Sequence, residues 1–209
     1  MATHSDTRAR IIEAAERVLR EKGLAHSTTK EIARAAGCSE GTLYNYFKSK
    51  EDLFLAVIHE GVPGSFIALT VALVDRAGQA TVREHLVELA NAALAFYWYT
   101  IPMGASLFAE PDLLARHREG VFERGGGPHK PYDALAAYLR AEQRLGRVSP
   151  DIDPHAAADL LLGACFSQVY MWLFIGEDID APAGERFVAG IVHTLMAALA
   201  PLREQPGPP

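Results

Sequence analysis

The sequence predicts an all-α fold that begins with a helix-turn-helix. Apolar residues recur at helical spacing along most of the 209 residues, and helix-capping residues precede several of these segments. A convincing alternation of apolar and polar residues, which would predict a strand, does not occur. Because 49% of the residues are apolar, the chain can bury a sizeable core.

Two short helices joined by a glycine turn are predicted after a first helix over residues 7–22. Thr28 can cap the second helix, and Glu31, three residues further on, completes a capping box. Gly37 can adopt the left-handed conformation that ends this helix, and Ser39 starts the next one. This order of elements predicts a helix-turn-helix.

The third helix has an unusual outward face. Leu43 and Phe47 are four residues apart and face inward, which leaves five other side chains pointing elsewhere. These are Glu40, Thr42, Tyr44, Asn45 and Tyr46. Phenol hydroxyls and the amine of Lys50 suit DNA phosphates, and ring and amide edges suit bases. Each residue alone also fits an ordinary helix surface, so the prediction depends on the group.

The run from Gly41 to Leu53 is similar to the recognition helix and following turn of the TetR family of bacterial transcriptional regulators. Residues 8–15 and 29–33 stand where that family has its first two helices, so the resemblance covers about residues 7–60. It implies a homodimeric DNA-binding regulator, most often a repressor. It also implies a near-palindromic double-stranded operator and release by a small-molecule effector.

The resemblance also implies which residues contact DNA. Phosphate contacts are expected from Thr28, Thr42, Tyr46 and Lys50. Base-facing positions are expected at Glu40, Gly41, Tyr44 and Asn45. Gly41 would let the groove wall approach closely. Glu40 could accept a hydrogen bond from a cytosine amine or stabilise the positive end of the helix dipole, and both interpretations stay open.

A break at Gly61, Pro63 and Gly64 predicts the boundary between two domains. We expect a DNA-binding domain over 1–60, ending in a fourth helix that begins at Ser49, and a helical effector-binding and dimerisation domain over 61–203. A Pro/Gly-rich tail over 204–209 is expected to be disordered. Helices of the second domain are predicted over 65–76, 81–100, 105–110 continuing into 111–123, 132–145, 154–175 and 183–199.

The last two helices predict a homodimer. The segment 160–174 is apolar nearly all round, so one face needs a partner beyond the core of its own subunit. Two helices from each subunit would form a four-helix interface, as the TetR resemblance also implies. The expected interface residues are Leu162, Phe166, Val169, Ile191, Leu195 and Leu199. One thick monomeric core is the alternative.

Four consecutive aromatic residues at 96–99 predict a ligand cavity, because they cannot all face one core stripe of a helix. An apolar and aromatic lining suits a flat or lipophilic small molecule. The candidate lining residues are Phe96, Trp98, Tyr99, Met103, Phe108, Phe122, Tyr138, Phe166 and Tyr170. Plain core packing remains the alternative for each of them.

The remaining patterns exclude several functional classes. The eight histidines and two cysteines show no metal-ligand spacing, and no catalytic triad order or phosphate-binding loop occurs. We therefore expect neither an enzyme nor a cofactor or metal. Residues 1–50 carry a net charge of +3 and residues 51–209 a net charge of −9, which suits a DNA-binding head on an acidic body.

We expect a cytoplasmic protein without a membrane partner. The N-terminus lacks the apolar segment of a signal peptide, and the stretch 160–175 is shorter than the ~20 residues of a membrane span. Cys38 and Cys165 are expected to be buried thiols, although a redox role of Cys38 stays open. The rival functions are a ligand-binding protein with a vestigial DNA head, and a DNA-binding dimer switched by a protein partner or by thiol oxidation.

Overall fold

The computed structural model describes residues 4–61, 64–176 and 181–200. All regular structure within these ranges is helical, so the predicted all-α fold with an N-terminal helix-turn-helix is confirmed. The predicted disordered tail at 204–209 and Pro63 of the predicted break lie outside the described residues.

The helices follow one another with short connections. Their bounds are α1 His4–His26, α2 Thr29–Ala35, α3 Glu40–Tyr46, α4 Lys50–Gly61, α5 Gly64–Ala72, α6 Val82–Phe108, α7 Pro111–Glu123, α8 Lys130–Arg144, α9 Pro154–Ile175 and α10 Ala181–Leu199. A short 3-10 helix, Val74–Arg76, follows α5. Inside α1, Gly23 leaves the helical conformation with φ 72°, close to the predicted end of the first helix at residue 22.

The chain forms two compact units. The first contains α1 to α4 together with residues 99–126, and the second contains α5, the part of α6 up to Trp98, and α8 to α10. The segment 99–126 thus belongs to the same compact unit as the helix-turn-helix. The division into domains at residue 60 remains our proposal for how the functions are separated.

One apolar core holds the first unit together. α1 packs on α2 and α4, and α2 packs on α3. Ile11, Leu43 and Leu53 have no exposed surface, and Met103 and Leu107 belong to the same core cluster. Burial of these side chains positions the short α3, which is too short to be stable alone.

The predicted helix end near residue 100 is wrong. α6 continues through Pro102 to Phe108. A proline inside a helix removes one backbone hydrogen bond and usually ends or bends the helix. Here Tyr99, Met103 and Leu107, four residues apart in turn, are buried on one face of the helix. Their packing favours continued helix on both sides of the proline.

The second unit is built around α8 and α9, which pack on each other, while α5 packs on α8 and α10 on α9. Glu142 of α8 has no exposed surface. Its Oε1 accepts from the backbone N–H of Gly78 at 3.1 Å, and its Oε2 lies 3.2 Å from Nε of Arg147 as an ion pair without hydrogen-bond geometry. This buried carboxylate ties the loop before α6 to the end of α8.

The length argument against a membrane span is wrong for α9. Within the described residues this helix has 22 residues and is long and apolar enough to cross a membrane by length and composition. A third of its most apolar window is buried inside the protein, and the core helix of a soluble protein passes the same test. Two polar residues, Ser167 and Gln168, interrupt the apolar stretch 160–175 in sequence, but they do not shorten the helix, because polar residues are compatible with helical structure.

Candidate nucleic-acid interface

Local hydrogen bonds define the helix-turn-helix. Thr28 caps α2: its hydroxyl oxygen accepts from the N–H of Glu31 at 3.2 Å, and the Glu31 carboxylate accepts from the N–H of Thr28 at 3.1 Å. Gly37 has φ 66°, a left-handed conformation that favours glycine. The Ser39 hydroxyl then caps α3 by accepting from the N–H of Thr42 at 3.0 Å. These caps are the ones the sequence predicts.

The predicted base-facing residues lie on the outer side of α3. Glu40, Gly41 and Asn45 are exposed, and Tyr44 is 48% exposed. Leu43, by contrast, has no exposed surface. The helix therefore presents a polar and aromatic face outward, as a reader of base edges requires.

Thr29 connects α2 to this face, although the sequence analysis did not identify it. Its hydroxyl donates to Oε1 of Glu40 at 2.5 Å, and its Oγ1 lies 3.4 Å from the hydroxyl oxygen of Tyr44. Only the adjacency of Thr28, which is the recognisable cap, pointed to this position. The contact between α2 and α3 depends on a turn geometry that the sequence pattern does not specify.

Gly41 has room for a side chain. A Cβ at this position would meet only the Ser39 hydroxyl oxygen, at 3.8 Å. Glycine inside a helix costs roughly 0.5–1 kcal/mol relative to alanine. Since nothing in the described chain excludes a methyl group, the glycine suits close approach by an external surface.

The predicted phosphate contacts have partners inside the chain. The ammonium of Lys50 donates to the carbonyl oxygens of Leu24 at 2.8 Å and Ser27 at 3.2 Å, so it closes the connection between α1 and α2. The Thr42 hydroxyl lies 2.8 Å from that of Ser39. Tyr46 is half-buried and packs against the core of the first unit. Lys50 retains a third N–H, since an ammonium has three donors.

Three cations near the helix-turn-helix are exposed and have no side-chain partner within residues 4–61. These are Lys30 and Arg34 on α2 and Lys48 after α3. No sequence signal distinguishes them from ordinary charged surface residues. Exposed cations on α2 and directly after α3 are suited to phosphate contacts.

The ends of α1 and α4 are joined by a bidentate ion pair. Both terminal nitrogens of Arg8 donate to the Glu60 carboxylate at 2.6 Å. The hydrogen bonds from Arg8 hold the pKa of Glu60 below its usual value. The same guanidinium lies 5.3 Å from the ring centre of Phe47, the residue that ends α3. Arg8 therefore links α1, the end of α3 and the end of α4.

The candidate ligand residues are divided between the two units. Tyr99 and Met103 are buried in the first unit, where Phe108 and Phe122 are exposed. In the second unit Phe96 and Phe166 are joined through Tyr97, with ring centres 5.6 and 5.4 Å from it. Phe66 completes this group at 4.8 Å from Phe96. Tyr97 belongs to the run at 96–99 but not to the predicted lining residues, and Phe66 was missed because a single phenylalanine in an apolar helix looks like an ordinary core residue in sequence.

Tyr138, Trp98 and Tyr170 belong to the second unit but differ in their surroundings. Tyr138 has no exposed surface, and its hydroxyl lies 2.8 Å from Nδ1 of His85. Trp98 is half-buried, and Tyr170 is 50% exposed and stacks on Phe174. Tyr138 is thus part of a packed core, whereas Trp98 and Tyr170 retain accessible surface.

Four of the six predicted interface residues lie in the core of the chain itself. Leu162, Val169 and Leu199 have no exposed surface, and Leu195 is 8% exposed. The expectation that all six residues form the interface therefore needs correction. On helices apolar nearly all round, the sequence pattern does not reveal which stripe faces inward.

An apolar groove of about 510 Å³ lies between α9 and α10. Ile191 and Leu195 line it, together with Leu160, Ala164 and Ala198. Leu160 is 67% exposed, and Phe166, on the same helix, is 46% exposed. The accessible apolar surface of α9 and α10 therefore lies on other faces of these helices than buried Leu162, Val169 and Leu199.

The described residues contain no group of three or more His, Cys, Asp or Glu side chains that could hold a metal ion. Cys38 is half-buried beside the core of the first unit. Burial raises the pKa of the Cys165 thiol to about 12, so this thiol stays protonated near neutral pH.

The fold and the exposed face of α3 define a helix-turn-helix protein. Residues 11–57 match the family described as bacterial regulatory proteins, tetR family. Over 174 residues the chain is 43% identical to the fatty acid metabolism regulator protein of Bacillus subtilis, covering 83% of this chain and 87% of that protein. The chain belongs to the tetR family of bacterial regulatory proteins.

Coverage differs among the relatives. Two uncharacterised HTH-type transcriptional regulators of Mycobacterium tuberculosis are 32% identical over 130 residues, which is 58% of this chain. The chain spans 64% of their length.

Solved structures share the fold over nearly the whole chain. A tetR-family transcriptional regulator from Mesorhizobium loti has a TM-score of 0.73 at 22% identity, covering 95% of this chain and 99% of that one. The regulator FadR from Bacillus subtilis, in complex with stearoyl-CoA, has a TM-score of 0.67 at 21% identity, covering 91% and 98%. At these identities the likeness establishes the fold.

Proposed function

We propose that this protein is a one-component transcriptional repressor that binds a near-palindromic operator as a homodimer in the cytoplasm and is released by a small lipophilic or aromatic ligand. Family membership supports DNA binding. The observation that carries the proposal is the outer face of α3, where Glu40, Tyr44 and Asn45 are exposed above a fully buried Leu43. We propose no catalytic step and no membrane partner.

DNA would be bound by two copies of the helix-turn-helix. A twofold-symmetric dimer would place its recognition helices about 34–36 Å apart, which is one turn of B-DNA. Exposed Lys30, Arg34 and Lys48 would neutralise phosphates, and the third N–H of Lys50 would add another contact. The residues on the outer face of α3 would then read base edges.

Dimerisation would use the groove between α9 and α10. Its lining is almost wholly apolar, and Leu160 beside it is largely exposed. A contiguous apolar surface of this kind favours association with a second copy. We therefore assign the interface to Leu160, Ala164, Ile191 and Ala198, with Phe166 retained from the sequence analysis.

The ligand would bind in the second unit among Phe96, Trp98, Phe166 and Tyr170. The ring of Phe66 packs against that of Phe96, and the ring of Tyr97 packs against that of Phe166. A relative named for fatty acid metabolism, at 43% identity, supports an apolar ligand. Binding would favour one conformation of the body and weaken DNA binding, with a coupling of roughly 1–3 kcal/mol.

DNA binding is tested by electrophoretic mobility shift on the DNA upstream of the protein's own coding sequence, with a scrambled duplex as control. A retarded band that survives excess scrambled DNA supports the proposal. If the protein retains a ligand but shifts no DNA, a ligand-binding protein with a vestigial head becomes the better account. Loss of the shift only after thiol oxidation would favour the redox alternative at Cys38.

Ligand binding is tested by thermal melting with stearic acid, stearoyl-CoA and a panel of flat aromatic compounds. A ligand that binds only the folded state raises the melting temperature, by RT ln(1 + [L]/Kd) in free energy. Trp98→Ala or Tyr170→Ala should reduce this response. Leu145→Ala, at a leucine of the second unit that is 55% exposed and outside the assigned site, is the control. Equal responses of all three variants would exclude the assigned site.

A further inference from the structure

Thr29 joins the two helices of the helix-turn-helix through two exposed side chains of α3. Its hydroxyl is bonded to Glu40 at 2.5 Å and lies 3.4 Å from that of Tyr44. We infer that Thr29 positions Glu40 and Tyr44 as hydrogen-bond acceptors, and that Glu40 thereby selects a cytosine in each operator half-site. This inference rests on the proposed DNA-binding function.

The direction of each hydrogen bond follows from the number of protons. A carboxylate only accepts, so the single hydroxyl proton of Thr29 points at Glu40. Oγ1 of Thr29 then accepts from Tyr44, and the Tyr44 proton points towards α2. The second contact is long for a hydrogen bond between hydroxyls, so the Glu40 contact is the stronger of the two. Both α3 side chains are left with free acceptor lone pairs.

Acceptors in the major groove pair with exocyclic amines. Only N4 of cytosine and N6 of adenine offer a donor there, whereas O6 and N7 of guanine and O4 of thymine are acceptors. Adenine also places its N7 acceptor beside the amine, where it repels a carboxylate. In the C·G pair N4 has the C5–H of cytosine on one side and O6 of the paired guanine on the other, whereas N6 of adenine lies between two acceptors, its own N7 and O4 of thymine. The Glu40 carboxylate therefore favours cytosine over the other three bases.

A role in stabilising the helix dipole does not explain the contact with Thr29. Glu40 is the first residue of α3, where a carboxylate is favourable in any side-chain orientation. Ser39 already provides the cap for this helix. Holding an exposed glutamate in one orientation costs side-chain entropy and adds nothing to the dipole interaction. Fixed orientation is useful when a partner must be met in one geometry.

The inference is tested by selecting bound duplexes from a pool with randomised half-sites, using the full chain and its variants. The wild type should enrich cytosine over guanine roughly 5- to 150-fold at one position of each half-site, which corresponds to the usual cost of one mismatched base pair. Glu40→Gln should shift that position towards adenine, because a glutamine amide both accepts from N6 and donates to N7. No other position should change.

Thr29→Val and Thr29→Ser separate positioning from folding. Valine matches threonine in shape but lacks the hydroxyl, so Thr29→Val should lower the cytosine preference several-fold at unchanged melting temperature. Thr29→Ser should restore the preference. An unchanged preference in Thr29→Val would overturn the positioning role.

The result for the wild type distinguishes this inference from the proposed function. If the wild type binds DNA selectively but prefers guanine, thymine or no base at the positions that change in Glu40→Gln, only the assignment of cytosine is overturned. Failure to bind any duplex at low salt would overturn the proposed function together with this inference. Enrichment of cytosine that moves to adenine in Glu40→Gln supports both.

Discussion

The ring of His59 on α4 stacks on the ring of His117 on α7, with 5.2 Å between ring centres and 3.2 Å between Nε2 and Nδ1. Burial, the nearby guanidinium of Arg124 and the ring of His117 together lower the pKa of His59 to about 4. Burial and the same guanidinium also lower the pKa of His117. Two adjacent imidazoles beside a cation are therefore held neutral, and the carboxylate of Glu60 opposes this effect on His59.

Acid should destabilise the first unit through this pair. The folded pKa of His59 lies below its ordinary value of 6.5, so the unfolded chain binds more protons between about pH 4 and 6.5. The stabilisation is complete above about pH 6.5 and is lost as the pH falls towards about 4. We expect the melting temperature to drop between about pH 7 and 5, in a range above the ordinary titration of carboxylates.

Thermal melts of His59→Asn test this prediction. The variant should show a smaller drop in melting temperature than the wild type over the same pH range. His155→Asn, at an exposed histidine, is the control and should behave as the wild type. If His59→Asn and the wild type show parallel curves, the stacked pair does not govern the acid response.

Gly41→Ala should change stability and DNA binding in opposite directions. The added Cβ meets no atom closer than 3.8 Å, and alanine favours helix over glycine by roughly 0.5–1 kcal/mol. The variant should therefore melt at the same or a higher temperature. Its affinity for the operator should fall, because the methyl group separates α3 from the groove. A calorimetric melt and an anisotropy titration on the same sample provide both values, and an unchanged affinity would contradict close approach at Gly41.

Lys50→Ala should reduce both stability and DNA affinity. Its ammonium is bonded to the carbonyl oxygens of Leu24 and Ser27, and an unsatisfied buried carbonyl costs roughly 1–3 kcal/mol. Lys48→Ala is the matched comparison, since Lys48 is exposed and has no partner within residues 4–61. It should leave urea unfolding unchanged and lower the salt dependence of DNA binding by about one unit of slope. If Lys50→Ala were as stable as Lys48→Ala, the closure of the α1–α2 connection would be unimportant.

Leu160→Glu should yield monomers that remain folded. Leu160 is 67% exposed beside the groove between α9 and α10, so the charge disrupts association without entering the core. Leu145→Glu introduces the same change at a leucine that is 55% exposed and lies outside the groove. Sedimentation velocity should show a dimer for the wild type and Leu145→Glu. A dimeric Leu160→Glu would place the interface elsewhere.

Substitution of Leu199 is not a suitable test of the interface. Leu199 has no exposed surface, so a charge there should unfold the chain and obscure any effect on association. A charge at Leu162 or Val169 should unfold the chain for the same reason. Sequence periodicity cannot predict which residues of α9 face the core, because this helix is apolar on nearly every side. Tertiary packing decides which stripe faces inward.

The helix-turn-helix could be predicted in detail because its signals are local. The helix caps and the glycine turn involve backbone groups only a few residues away in sequence, so spacing alone identifies Thr28 with Glu31, Gly37 and Ser39. The contact between Thr29 and Glu40 could not be predicted, because it joins two helices across a turn. The continuation of α6 through Pro102 was missed because distant packing outweighs a local helix breaker. The ligand residues were predicted from the run of four aromatic residues at 96–99 and from other aromatic side chains of the second domain, and they are divided between the two compact units.

The central claim is that α3 reads a specific DNA sequence. It is tested most directly by measuring the affinity of the wild type for the selected operator and for a scrambled duplex of the same composition, over a series of salt concentrations. The account predicts operator binding roughly 10³- to 10⁷-fold tighter than binding to the scrambled duplex, with log K falling linearly as log salt rises. Equal affinity for the two duplexes at every salt concentration would contradict it.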